Sequence, residues 1–428
     1  MKILTIADLH LSKSVYGVMD KKFPKLPFRT VDFMRSFQWI IDKCLSEIKP
    51  DLVIMNGDIY DYHNNMSNIV RGFFSKQLSR LMENKIPCII LVGNHDISMS
   101  SHALNDIQEL NLKAIKIIDQ PLILEFKGHR LCLFPYSLDI EQKKLTLQQA
   151  FNKFSLEIQD LPKDKPILFF GHFGINGAVL NDFKKDENLD EIEDENLDET
   201  SRKEVKEKRI DYINNSKEDI RASQLDEMGV DYILMGDFHK HQRIKTKTIG
   251  YYCGSIERTG FTEMNHVKGF MVYDSDASVD KEYGKCRFVE YPNCRPMLEI
   301  VGNLDTIKKQ FSACDYSRYQ GAIVRLVFKG DSNDLLYFSS GIEEFKKEIF
   351  QKLNPVHVFT NQKPPTDKIQ EQKATELEKE IMERGHFTDK DIIGVLNEMV
   401  VERVKDDKEQ TGIMELADSI YKEVKAEE

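Results

Sequence analysis

The chain, 428 residues long, predicts an α/β protein followed by a small α+β domain and a C-terminal pair of helices. Two observations carry the first part of that expectation. Short apolar runs rich in branched residues alternate with helical patterns through the N-terminal half, as in Ile89-Ile90-Leu91-Val92, and such runs mark strands buried on both faces. Several of these runs end in turns bearing Asp, Asn or His, which is where α/β folds present their chemistry. A third observation divides the chain: a strongly charged stretch interrupts the N-terminal half, and a polar run beginning at Asn361 precedes the final helical patterns.

Composition limits the class of function. At this length two or three domains with a large core are expected. No apolar stretch approaches a membrane span, and the N-terminal MKILTIADLHL lacks a basic signal-peptide head, so a soluble cytoplasmic protein with no membrane partner is expected. The seven cysteines are scattered and never form CxxC pairs, which argues against a disulfide framework and a zinc knuckle alike. A formal charge of −11 argues against a surface coated in positive charge for nucleic acid, but a local basic face is compatible with it.

Lys2 to Ala7 reads as the first strand and runs into Asp8-Leu9-His10; alternation along an extended segment would turn Asp8 and His10 to the same side. A Pro-bearing loop between Phe23 and Phe28 precedes a helix from about Thr30 to Ile48, with Phe33, Phe37, Ile40, Ile41 and Leu45 as its apolar stripe. The second strand, Leu52 to Met55, enters Asn56-Gly57-Asp58-Ile59-Tyr60-Asp61, where Gly57 permits a sharp exit and Asp58 stands as a possible bridging ligand. Asp61 and His63 are candidates to support the ligands. A helix from about Met66 to Glu83 carries more apolar residues than one core face needs, which suits a buried helix or a contact with a second copy of the chain. The third strand ends in Gly93-Asn94-His95-Asp96: an amide ligand, an imidazole that can bind or donate a proton, and a carboxylate able to orient that imidazole.

Strands are expected at Ala114–Ile118, Leu122–Phe126 and Arg130–Pro135; His102 and His129 receive no role. A strand at Pro166–Phe170 presents His172 in Gly171-His172-Phe173-Gly174. Residues 181–219 are dominated by Asp, Glu and Lys, repeat DENLDE, and read as an exposed acidic insertion. The core resumes with Asp231–Met235, entering Gly236-Asp237-Phe238-His239-Lys240-His241. Shorter strands between Gly269 and Phe359, with a helix near Ile342–Gln351, suggest the α+β domain. The expected domains are therefore 1–265, 266–360, a linker at 361–385, and 386–428. In that last segment Ile392, Ile393, Leu396 and Met399 line one helix and Leu416, Ile420 and Val424 another. Two such stripes beyond a linker suit docking on a partner.

Asp8, His10, Asp58, Asn94, His172, Asp237 and His239 thus all stand at carboxyl ends of expected strands. Carboxylate, amide and imidazole together suit two manganese ions, with iron or magnesium as alternatives, and suit a thiolate-preferring structural zinc poorly. Two ions sharing a carboxylate favour phosphoester hydrolysis.

DLH, GDIYD, GNHD, GHFG and GDFHKH, in this order, resemble the five motifs of calcineurin-like metallophosphoesterases. The stretch YYCGSIERTGFTEMNHVKGF is similar to the segment that follows them in SbcD-type nuclease subunits. The resemblance implies a two-sheet α/β sandwich with a capping domain and a helical pair that grips a coiled-coil ATPase of the SbcC type. It further implies a homodimer within a heterotetramer that cuts DNA ends during break repair and recombination. By this resemblance Asp8, His10, Asp58 and His239 hold one metal, and Asp58, Asn94, His172 and Asp237 the other. His95 would be a catalytic imidazole that binds no metal. The family usually has Gly-His-x-His where this chain has Gly236-Asp237-Phe238-His239. The strand-ending glycine favours Asp237 and His239 as the ligands, and the alternative register uses His239 and His241.

Overall fold

The computed structural model describes residues 1–11, 18–61, 67–97, 101–176, 178, 220–330 and 332–362. His63, the acidic insertion at 181–219 and the helical segment 386–428 lie outside them, as does the expected linker beyond Gln362.

Two six-stranded mixed sheets form the centre of the first of two compact units, which comprises Met1–Glu299, Asp315–Arg325 and Glu348–Phe359. In the first sheet β1 (Lys2–Ile6), β2 (Leu52–Asn56), β3 (Cys88–Leu91) and β4 (Ile115–Ile118) run parallel in that order. In the second, β5 (Leu122–Phe126) pairs antiparallel with β6 (His129–Phe134), and β7 (Ile167–His172) lies parallel to β6. Two short strands, β8 (Ile175–Asn176) and β9 (Ile220–Arg221), pair with each other. The second sheet continues through β10 (Tyr232–Gly236), β12 (Ile249–Tyr252) and β11 (Gln242–Arg243). β13 (Gly269–Asp274) runs antiparallel against β1, and β14 (Cys286–Glu290) against β13. The boundary expected at 265 therefore falls before two strands that complete the first sheet.

Alternation explains why these strands read as unbroken apolar runs. Leu4, Ile6, Val53, Met55 and Ile90 face helices α1 (Phe28–Lys43) and α2 (Asn68–Glu83), while Ile3, Leu52, Ile54, Ile89 and Leu91 face the other sheet. Across that interface stand Leu131, Leu133, Leu168, Phe170 and Leu234. Beyond the short α3 (Asn105–Glu109) and α4 (Leu138–Glu141) come α5 (Leu147–Gln159) and α6 (Ala222–Glu227). These two helices cover the outer face of the second sheet against Phe169, Ile233 and Met235. The result is a helix–sheet–sheet–helix sandwich, the α/β class expected.

Several elements depart from expectation. The first helix starts at Phe28 rather than Thr30, and its last turn, Cys44–Ile48, widens to a π-helix ending at Lys49 in the left-handed region. Helix α5 is an addition to the expected elements, although Thr146 and Gln149 form a reciprocal capping box and Phe151, Phe154 and Ile158 line one face. Burying each of those side chains contributes about 1.5–3 kcal/mol. On α2, Val70, Phe74, Leu78 and Leu81 are buried, and Ile69 remains exposed.

Among the described residues, the second unit comprises Ile300–Cys314, Leu326–Lys347 and residues 360–362. Its α7 (Leu304–Ser312), another addition, sets Phe311 edge-on to Phe345 of α8 (Ser332–Leu353), with ring centroids 5.4 Å apart. α8 is longer than the helix expected near Ile342–Gln351. β15 (Met297–Gly302), β16 (Ile323–Phe328) and β17 (His357–Gln362) make a three-stranded sheet. β17 takes in the first two residues of the expected linker.

Candidate metal centre

The parallel strands β1, β2, β3, β7 and β10 each deliver polar side chains at or just beyond their carboxyl ends, and the left-handed backbone directs several of them. Asp8, His10, Asp58 and Asp237 all have positive φ, at 52°, 42°, 51° and 91°. Non-glycine residues adopt this region only where surrounding structure imposes it. Asp8 and His10 therefore reach the same side through two left-handed residues rather than through extended alternation. Their loop is held by bonds from the Asp8, His10 and Leu11 amides to the carbonyls of Gly57, Asp58 and Ile59, at 3.2, 3.0 and 3.0 Å. Gly57, at φ 80°, leaves no room for a side chain: a Cβ there would lie 2.3 Å from His172 Nδ1.

Two groups of atoms converge around Asp8 and Asp58. In one, His10 Nε2 and His239 Nε2 face each other at 3.0 Å. His10 Nδ1 lies 3.1 Å from Asp61 Oδ1, and His239 Nδ1 lies 2.8 Å from Glu263 Oε1. The Glu263 carboxylate can only accept, so His239 Nδ1 carries the proton; His10 Nδ1 makes no hydrogen bond, but the Asp61 carboxylate beside it favours a proton there, which leaves the two Nε2 atoms facing each other. In the other, His172 Nδ1–H donates to the Asn56 carbonyl at 2.6 Å. Its Nε2 is turned to three acceptors, Asn94 Oδ1 at 2.9 Å, Asp58 Oδ1 at 3.2 Å and Asp237 Oδ1 at 3.9 Å, a place filled by a proton or by a cation. Asp8 Oδ2 is buried without a hydrogen-bond partner.

Acceptors packed against acceptors are unfavourable where most of them are withdrawn from water, unless a proton or a cation lies among them. That donor set, rich in carboxylate and imidazole, fits divalent metal ions. Asp8, His10 and His239 form one set whose ligand atoms lie within 4.8 Å of one another, and Asp8, Asp58 and His172 form another.

The electrostatics agree with a site built to attract positive charge. Burial pushes the Asp8 carboxyl up to about 6, and burial likewise raises Asp237. Burial opposes ionisation of Asp58, yet His172, His10 and His95 hold it below the usual carboxylate range. For His172 burial disfavours the charge, but Asp58, Asp8 and Asp237 outweigh it and raise its pKa. Burial lowers His10 to about 4 despite Asp61, keeping it a neutral donor of its lone pair.

All the expected ligands thus lie in one cluster, and His95 lies beside it. Its backbone N–H donates to Asp58 Oδ1 at 3.0 Å, and its Nδ1–H donates to the Asp61 carbonyl at 2.9 Å. Asp96, expected to orient His95, does not do so. It accepts instead from the backbone N–H groups of Gly93, Ile59 and Tyr60 at 3.0–3.2 Å and so ties the β2 and β3 loops together. His241 stands apart, stacked on Phe288 with centroids 3.9 Å apart, and its Nδ1–H donates to the Tyr252 carbonyl at 2.9 Å.

Asn56 and Glu263 escaped the sequence reading. Asn56 links the sheets, accepting from His172 and donating through Nδ2 to the Leu234 carbonyl at 2.8 Å. Glu263 lies 24 residues beyond His239, and no spacing rule connects the two; only its place in the GSIER-containing stretch marked it.

Comparison with known proteins follows the same line. A family model described as calcineurin-like phosphoesterase matches residues 1–241. The SbcD component of the SbcCD nuclease of Staphylococcus epidermidis is 24% identical over 290 residues, covering 64% of this chain and 66% of that protein. The DNA double-strand break repair protein Mre11 of Methanococcus maripaludis is 26% identical over 202 residues, covering 40% and 51%. Mre11 of Sulfolobus acidocaldarius is 32% identical over 129 residues, covering 29% and 31%. The matched regions span less than two thirds of each of these relatives.

Proposed function

The chain belongs to the calcineurin-like phosphoesterase family, and from that premise we propose that it is a two-metal DNA nuclease, cutting phosphodiester bonds at DNA ends in break repair and recombination. The observation that carries this reading is the convergence of His10, His239, His172, Asn94 and Asp58 with acceptor atoms facing one another. Asp8, His10, Asp58 and His239 would hold one manganese, and Asp58, Asn94, His172 and Asp237 the other. Bound there, two such ions would polarise the phosphodiester and supply a hydroxide at neutral pH.

The remaining work falls to this chain's own side chains. The Asp61 carbonyl fixes Nδ1–H of His95, leaving Nε2 as the atom that exchanges a proton with the leaving oxygen or bonds to the phosphate. Asp61 also orients His10 through its carboxylate, so one residue sets both rings.

DNA as substrate is supported by the names of the relatives, nuclease and double-strand break repair protein. An SbcC-type ATPase as partner is supported by the apolar stripes at Ile392–Met399 and Leu416–Val424. The free cysteines, five of them buried, suit a reducing cytoplasm. Manganese-dependent cleavage of linear DNA, compared with a small phosphodiester and measured with and without the ATPase, tests the reading. A form ending after Gln362 should still cleave but no longer co-purify with the ATPase. Hydrolysis of the small ester alone would replace DNA by a smaller substrate, and unchanged ATPase binding would move the interface off the tail.

A further inference from the structure

We propose that Glu263, held in place by Lys268, is a positioning residue that sets the tautomer of His239 and so assembles one metal site. The proposal rests on His239 being a ligand, and its test separates the two claims. Glu263 and Lys268 are 2% and 1% exposed. Lys268 Nζ donates to Glu263 Oε2, to Ser255 Oγ and to the His239 carbonyl, each at 2.8 Å. Its three protons are thereby used, and it grips both the backbone of His239 and the carboxylate that faces the ring. The two oxygens of Glu263 divide the work. Oε1 accepts from His239 Nδ1 at 2.8 Å and from the Thr259 hydroxyl, while Oε2 accepts from Lys268 and from the Thr259 amide at 2.9 Å.

A buried ion pair could simply staple residues 255–268 together. An isosteric amide distinguishes that role from positioning. In Glu263→Gln only one oxygen remains, and the Oε2 position faces two obligate donors, the Lys268 ammonium and the Thr259 N–H. The amide oxygen must go there, because an NH2 group against an ammonium is repulsive. That turns the NH2 group toward His239 Nδ1, which must then accept. The imidazole takes the Nε2–H tautomer and loses the lone pair that faces His10 Nε2 at 3.0 Å. If the pair were merely structural, Glu263→Gln would lower stability by leaving the Lys268 ammonium without its counter-charge, with the His239 tautomer unchanged.

The experiment uses the full chain labelled with 15N-histidine, free of metal and at a pH alkaline enough that the imidazoles are neutral, the His239 signals being assigned by comparison with His239→Ala. The wild type should show the Nδ1–H tautomer, and Glu263→Gln should show Nε2–H. In manganese titrations, Glu263→Gln should bind the metal at the His239 site about 10–100-fold more weakly. An Nε2–H tautomer in the wild type overturns the proposal without any variant having to fold. So does a Glu263→Gln protein with wild-type tautomer and wild-type manganese affinity. If the tautomer switches as expected while His239→Ala still binds the full complement of manganese, the positioning role stands and the ligand role of His239 falls.

Discussion

The Nε2 atoms of His10 and His239 lie 3.0 Å apart although the residues are 229 positions apart in the chain. Glu263 stands behind His239 and accepts from its Nδ1–H, while the Asp61 carboxylate lies 3.1 Å from His10 Nδ1, so the two Nε2 atoms meet across the gap between the ends of β1 and β10. His239 could not be held there in the other tautomer without losing its carboxylate bond.

His95 touches the cluster without supplying Nδ1 to it. His95→Ala should bind manganese with unchanged stoichiometry while kcat falls by about 10²–10⁴-fold. Metal analysis and a cleavage assay on the same preparation check both halves. Undiminished turnover would remove His95 from the chemistry.

Asp237 and His241 can be told apart by metal content. Asp237→Ala should lose one equivalent of manganese, because it removes the carboxylate that approaches His172 Nε2 and leaves in place the backbone N–H that donates to Asp8 Oδ1. His241→Ala should keep both ions and lose stability, since its ring is stacked between Phe288 and Tyr251. The reverse pattern would select the other register.

Metal uptake should release protons. With Asp8 raised to about 6 and His172 above its ordinary value, the metal-free site holds protons that a cation must displace. Manganese affinity should therefore rise with pH through about 6, where Asp8 titrates, and go on rising above the ordinary imidazole range until His172 is deprotonated. His10, lowered to about 4, adds nothing to that slope above pH 5 or so. Calorimetry in buffers of different ionisation enthalpy measures the protons released, and a pH-independent affinity would contradict the expectation.

Gly57 is the backbone position with least tolerance. At φ 80°, and with a Cβ falling 2.3 Å from His172 Nδ1, Gly57→Ala should cost about 1–3 kcal/mol in strain and weaken manganese binding by displacing the imidazole. Urea unfolding with and without metal checks this; Gly72→Ala, at an open helical position, is the control.

What the sequence determined by itself is local. Apolar runs such as Ile89–Val92 declare strands covered on both faces, turns such as Gly57-Asp58 and Gly93-Asn94 declare their sharp exits, and the side chains just beyond them declare a mixed carboxylate, amide and imidazole set. Periodicity and turn chemistry act over a few residues, which is why they can be read without a structure. The tertiary structure alone decided which partners stand behind those side chains. Asp96 went to three backbone amides rather than to its neighbour His95, and Asn56 joined the two sheets. Glu263 reached His239 across two intervening strands, and β13 and β14 closed the first sheet from beyond residue 265. Each of these follows from the saturation of buried donors and acceptors, and a buried polar group takes whichever partner the fold brings within about 3 Å, whatever its distance along the chain.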